Sequence, residues 1–324
     1  MSVKKIFLVA AVFAASLAVF SCKKFKDNTK VVNENVPGYE ILALEDEEPI
    51  NMVESSVVAY AKVPASENPD VRFGFFLSNN PSIPAGGRTE VIWETKMPTD
   101  RYESAFKFTA RFRDLDCTKT YYYQFFYVLN NEYRLSESRS FIPGCVDLGE
   151  GLRFAVCNLG ASDKYAYGGY YAWGETSPKT AFTSANYVGN TTCVAGNLHP
   201  SYDAASVQLG GKWRMPSADE LRKLCDQALF DWSTDAGCFK LTSKISGYEG
   251  RSIFLPKGGM VSDILDSSGT GNMGKGNSVS YMSTGHSLLG AKDCCYLLFY
   301  SGSGPIVKTD YAYYGYSVRP ILGN

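Results

Sequence analysis

The stretch AFKFTARF, residues 105–112, constrains the fold more than any other. Phe106, Phe108, Ala110 and Phe112 alternate with Lys107, Thr109 and Arg111. A period of two suits an extended strand with one buried face and one wet face. The same rhythm runs through SSVVAYAKV, DVRFGFFLS, TEVIWETKM, TYYYQFFYVL and YRLSESRSF, each bounded by turn-forming residues. Asn130-Asn131 separates the last two runs and signals a hairpin, because asparagine tolerates positive φ. About seven short strands within residues 37–144 predict an all-β sandwich. The 22 Tyr and 19 Phe fit that reading, since aromatic residues favour pleated, half-buried surfaces.

The first residues read MSVKKIFLVAAVFAASLAVFSC. Lys4 and Lys5 precede an apolar run from Ile6 to Phe20, shorter than the ~20 residues a membrane-spanning helix needs. This is the pattern of an export signal. Its end, Val19-Phe20-Ser21-Cys22, resembles a bacterial lipobox, which implies a signal over residues 1–21 and a lipid on Cys22. Acyl chains there would hold the protein on a membrane, at ~0.8 kcal/mol per buried methylene. Lys23 stands where an inner-membrane retention signal would carry Asp, so the outer membrane is expected, on either face. Residues 22–36 are polar and charged, as in a flexible tether.

Lys+Arg total 32 and Asp+Glu 33, giving a net charge of −1 with no basic stripe, so nucleic acid is excluded as a partner. Two histidines and the lack of any CxxC spacing leave no basis for a metal site, and no cofactor is expected. Nine cysteines minus Cys22 leave an even number, as an oxidising compartment favours. Cys117 precedes one strand of a predicted hairpin and Cys145 follows its partner, so these two can lie side by side. A bridge there would add roughly 3–4 kcal/mol, and two free buried thiols are the alternative. Cys294 and Cys295 are adjacent in a strand-like run and so face opposite ways.

One segment breaks the strand pattern. In GGKWRMPSADELRKLCDQAL, residues 210–229, Ser217 is an N-cap and Glu220 completes a capping box just after Pro216. Leu221, Leu224, Cys225, Ala228 and Leu229 form one apolar stripe, which predicts a helix lying on a sheet.

Two resemblances follow. LDCTKTYYYQFFYVLNNEYRLSESRSF looks like the last two strands of a fibronectin type III domain, with Leu115, Thr120, Tyr121 and Phe141 on its pattern. That implies a spacer over 37–144 in which Tyr121, or a neighbour, locks a corner of the sandwich. From Cys145 onward, VDLGEGLRFAVCNLGAS, YGGYYAWGE, YDAASVQLGGKWRMPSADEL, IFLPKGG and YSVRPI together resemble the Fibrobacter succinogenes major paralogous domain. The resemblance implies an α+β, C-type-lectin-like domain over 145–324. It also implies structural roles for Trp213 in the core, for Arg214 tied to carbonyls or a carboxylate, and for Arg319 in the last strand. Trp173 and Glu175 are hallmarks of the same pattern, either a buried cluster or an aromatic platform with a carboxylate. The family pattern further implies that Cys157 pairs with Cys225.

Catalytic signatures are weak. Gly269 to Gly274 spells GxGxxG without the strand before and helix after that a dinucleotide site needs. The spaced cysteine pair of the related formylglycine-generating enzymes and the calcium motifs of C-type lectins are missing. His199 and His286 lie in polar loops without a nucleophile elbow. The expectation is a non-enzymatic envelope lipoprotein whose lectin-like module binds a glycan or an envelope protein. The alternatives are a structural subunit of an envelope assembly and, third, an envelope-modifying enzyme. The loops 258–284 and 181–200 are expected to frame either an aromatic groove or a flat surface.

Overall fold

The computed structural model describes residues 30–34, 36–64, 68, 70–81, 88–189, 192–194, 196–263, 271–286 and 293–323. The predicted signal and Cys22 lie outside them. The chain is β-rich, with 45% strand against 6% helix.

Residues 30–141 build two facing sheets. In one, the central strand Tyr121–Leu129 pairs with Arg72–Ser78 on one side and with Glu132–Leu135 and Arg139–Phe141 on the other. In the second, Ser55–Lys62 and Ala105–Phe112 are neighbours, flanked by Glu40–Leu44 and Thr95–Thr99. The alternation read from AFKFTARF takes this form: Phe108, Ala110 and Phe112 are fully buried, while Arg111 is exposed. They meet Phe73, Phe75, Tyr123, Phe125 and Tyr127 from the opposite sheet in one aromatic core. Phe73 and Phe108 stack at 4.7 Å between ring centroids, and Phe75 meets Phe125 edge-on at 5.0 Å. Asn130 and Asn131 both adopt positive φ, 53° and 62°, as the hairpin requires. The Tyr121 hydroxyl accepts the Asp116 amide at 3.1 Å, fixing the turn that leads into the central strand.

One expectation changes here. The tether was placed over 22–36, yet Lys30–Val31 pairs in parallel with Glu132 and Tyr133. The outer side of Glu132–Leu135 would otherwise leave its backbone groups unpaired. An ion pair between Lys30 and Glu132, 3.1 Å, supports the addition.

Among the described residues no strand pair joins positions before 142 to positions after 144. Beyond that point a four-stranded sheet runs Cys145–Asp147, Arg153–Ala155, Ile321–Leu322, Trp213–Arg214. A larger sheet centres on Ser278–His286, with Asp293–Tyr300 and Ile306–Tyr311 to one side and Tyr316–Ser317 and Asn197–Leu198 to the other. Ser278–His286 is buried on both faces: Val279 and Tyr281 join one core, and Met282 the other. The hairpin Phe230–Asp235, Cys238–Ser243 and its partner Ser252–Pro256 complete the unit.

Two short helices lie here, α1 (Ala204–Leu209) and α2 (Ala218–Leu224). Leu221 and Leu224 of α2 pack with Val279, Tyr281 and Leu297 of the large sheet, as its apolar stripe predicts. The helix stops at Leu224, short of the expected Leu229. The Asp226 carboxylate accepts the Ala228 amide at 2.8 Å, so the side chain satisfies the backbone in a turn and Ala228 points to water. α1 was not anticipated. Its cap is Asp203, 2% exposed, which accepts the Ser206 amide through one oxygen and the Met215 amide through the other, both at 2.9 Å. One carboxylate thereby ties the start of α1 to the approach to α2.

Candidate functional site

The phrase that opens α2 builds a structural cluster. Ser217 Oγ accepts the Glu220 amide at 3.2 Å and Glu220 accepts the Ser217 amide at 2.8 Å, closing the predicted capping box. Arg214 donates both terminal nitrogens to Glu220, at 2.8 and 2.7 Å, and one of them also reaches the Met215 carbonyl. Pro216 offers its carbonyl to the Thr284 amide at 2.8 Å, which fastens the cap to the central strand. The paired groups of Arg214 and Glu220 are thus committed to the cap itself.

Trp213 differs from expectation in its surroundings. It is 1% exposed, but its indole packs with Ala155, Leu322 and Cys145 against Met52, Cys117 and Ile142 at the edge of the first unit. Its Nε1 donates to the Cys117 carbonyl at 2.8 Å. The side chain therefore joins the two units rather than filling the second.

Arg319 is 2% exposed. It donates to Asn158 Oδ1 at 2.9 Å, to the Ala155 and Val156 carbonyls at 2.9 and 2.6 Å, and to the Phe254 carbonyl. The guanidinium fork gathers carbonyls from separate strands, a role lysine's single ammonium cannot copy. Trp173 and Glu175 form a buried cluster, not an open platform. Trp173 donates to the Ser283 carbonyl at 3.1 Å, and Glu175 pairs with Lys179 at 2.7 Å while accepting the Val188 amide.

All eight described cysteines are free thiols: of the two alternatives for Cys117 and Cys145 the unbridged one is found, and Cys157 is not bridged to Cys225. The strands that would align Cys117 with Cys145 end at the Tyr121–Phe141 pair. Beyond it Cys117 turns into the Asp116 loop and Cys145 enters a new sheet opposite Ala155. Cys157 is buried in the Arg319 environment, whereas Cys225 caps α2 and gives its thiol to the Leu221 carbonyl. Burial pushes the Cys145 thiol up to about 12 and the Cys157 and Cys225 thiols up to about 11. None is poised as a thiolate nucleophile.

Of the GxGxxG stretch, Gly269 and Thr270 lie outside the described residues. Asn272–Met273 pairs antiparallel with Met260–Val261, and a strand rather than a helix follows. His199 accepts the Ser201 amide at a 3-10 turn. Among the described residues no group of three or more His, Cys, Asp or Glu could hold a metal ion. No described helix is long and apolar enough to cross a membrane.

Sequence reasoning missed an aromatic surface at the end of Ile306–Tyr311. The turn Tyr311-Ala312-Tyr313-Tyr314 closes with the Tyr314 amide on the Tyr311 carbonyl at 3.2 Å. Ala312 is buried and its carbonyl accepts the Trp173 amide at 2.8 Å, so the turn is anchored from below. Above it, the Tyr311 and Tyr313 rings stack at 5.1 Å with 22° between planes, and Tyr314 meets both edge-on. Tyr311 is 49% exposed. Desolvation, with the Asp263 carboxylate nearby, raises the Tyr313 phenol above its ordinary range. The surface therefore offers flat apolar rings beside a hydrogen-bond acceptor. YAYYGYS carries this signal, but so do other tyrosine runs in the chain, and only the turn brings these rings outward. Within the stretches 258–284 and 181–200, residues 264–270, 190, 191 and 195 lie outside the described set.

No family model matches the chain, and comparisons with curated proteins and with solved structures find no match.

Proposed function

We propose that the chain is a non-catalytic envelope lipoprotein, anchored through Cys22 in the outer membrane, that binds a glycan through a C-type-lectin-like module. A fibronectin type III-like sandwich holds that module away from the membrane. The observation that carries this reading is the stacked Tyr311–Tyr313 pair beside Asp263. Sugar rings present C–H faces that lie flat on aromatic rings, and their hydroxyls seek carboxylate acceptors. The sandwich reading is supported by the two-sheet aromatic core and by the Tyr121 hydroxyl bond to the chain just upstream. The non-catalytic reading draws on the internal use of Arg214, Glu220, Glu175 and Arg319, whose charged groups are tied to protein partners.

A glycan array probed with the full chain in detergent tests this. The expected result is binding to a restricted set of glycans, lost in Tyr311→Ala. Binding that is unaffected by that substitution, or no binding together with one constant partner in whole-cell crosslinking, would replace this reading with the structural-subunit alternative.

A further inference from the structure

A half-open cleft of about 760 Å³ lies between the two units. That is within the range of small-molecule sites. Its floor follows from strand alternation. In the paired strands Cys238–Ser243 and Ser252–Pro256, Phe239, Leu241, Ile253 and Leu255 enter the core. Lys240, Ser252 and Phe254 lie on the opposite face and line the cleft, with Lys240 directly across from Phe254. Lys164 joins them from the loop after Cys157. The ammonium groups of Lys164 and Lys240 sit 5.0 and 5.6 Å from the Phe254 ring centroid, and Tyr165 meets that ring edge-on at 5.2 Å.

Contact with a ring face does not neutralise an ammonium. Among the described residues neither lysine has a carboxylate in ion-pair range. The cleft also has four acidic residues in its lining, Asp46, Glu47, Glu48 and Asp147; burial raises the Glu47 carboxyl. Asp46 is bound to Arg139 and Arg251, and the Asp147 carboxylate accepts the Gly149 amide. Asp46 thus links the two units through Arg139 and Arg251, while Lys164 and Lys240 keep two unneutralised cations near an aromatic ring. Thr120, Ser140 and Ser252 also line the cleft.

The geometry points to a second binding site in this cleft, for an anionic saccharide whose carboxylate or sulfate groups meet Lys164 and Lys240 while a ring face covers Phe254 and Tyr165. An inorganic anion would use the cations and leave the ring and the hydroxyls idle. A neutral sugar would leave the cations idle. This site is independent of the tyrosine turn, and either can fail without the other.

Calorimetric titration of the full chain in detergent tests it with four tetrasaccharides: oligogalacturonate and oligomannuronate for carboxylates, a heparin fragment for sulfate, and cellotetraose as the neutral control. At least one acidic probe is expected to bind at least about tenfold tighter than cellotetraose, with affinity falling as salt rises. The double variant Lys164→Ala/Lys240→Ala and the single variant Phe254→Ala should each weaken that probe about tenfold, while Tyr311→Ala leaves it unchanged. Circular dichroism confirms that the lysine variant is folded, since both lysines are partly exposed. Equal affinity for acidic and neutral probes, no binding of any acidic probe at about 1 mM, or full binding by the folded lysine variant overturns the proposal.

Discussion

The Trp213 indole donates a 2.8 Å hydrogen bond to the Cys117 carbonyl, across the junction of two separately cored units. The surrounding contacts, Met52 and Ile142 from one side and Ala155 and Leu322 from the other, are apolar. Trp213→Phe should cost about 1 kcal/mol, the net value of the bond, and Trp213→Ala about 3–5 kcal/mol from lost burial. Calorimetry on the alanine variant should split one unfolding transition into two. A single unshifted transition would show that the units are not coupled through this residue.

Arg319 predicts a second loss. Replacing it with Met keeps the volume but strips partners from the Ala155, Val156 and Phe254 carbonyls and from Asn158 at once. Arg319→Met is expected to lower unfolding free energy by about 3–5 kcal/mol in urea titration, and Arg319→Lys by about half of that, because one ammonium cannot reach every acceptor.

Glu47 gives the chain a pH dependence. The residue lines the interdomain cleft, and its Oε1 is buried without a hydrogen-bond partner. Burial, opposed by the Ser55 hydroxyl and reinforced by Glu48 and Asp46, raises its carboxyl from 4.5 to about 8. Between those two values the folded chain holds a proton that the unfolded chain releases, so stability falls as pH rises through that window. The total is on the order of 5 kcal/mol. Glu47→Gln keeps the neutral shape and should flatten the slope, leaving the variant more stable than the parent at pH 8. Melting temperatures of the two proteins from pH 5 to 8.5 would decide it; parallel curves would count against the assignment.

The cysteines make a fourth prediction. Alkylation in denaturant without reductant should modify all eight described cysteines. In the native state Cys157, Cys238 and Cys294 should stay unmodified, since each is at most 3% exposed. Intact mass spectrometry reads both numbers, and fewer than eight adducts after denaturation would reveal a disulfide.

What the sequence disclosed was local. The capping box of α2 needs only Ser217 and Glu220 at the right spacing, and the Asn130-Asn131 hairpin needs only two residues that accept positive φ. Phe108, Ala110 and Phe112 were placed by period alone. What it hid depends on residues far apart. Nothing near Trp213 says that its indole will reach Cys117 instead of its own sheet. Whether Cys117 and Cys145 bridge was not legible, because hairpin geometry holds only while strands stay paired, and the partners diverge past Tyr121 and Phe141. The Lys240–Phe254 face could not be read because two strands must be in register before a lysine stands over a ring. The tyrosine turn was hidden by abundance, one tyrosine cluster among several.

The position of Ile321–Leu322 has a kinetic consequence. These late residues lie in the interior of their sheet, with Arg153–Ala155 on one side and Trp213–Arg214 on the other. Neither neighbour touches the other until that strand is inserted between them. Closure of this sheet must therefore wait until residues 321–322 are made, well over 100 positions after Arg153–Ala155, a high contact order that slows folding. During synthesis, the aromatic sandwich can mature first while the remainder stays open and exposed to chaperones.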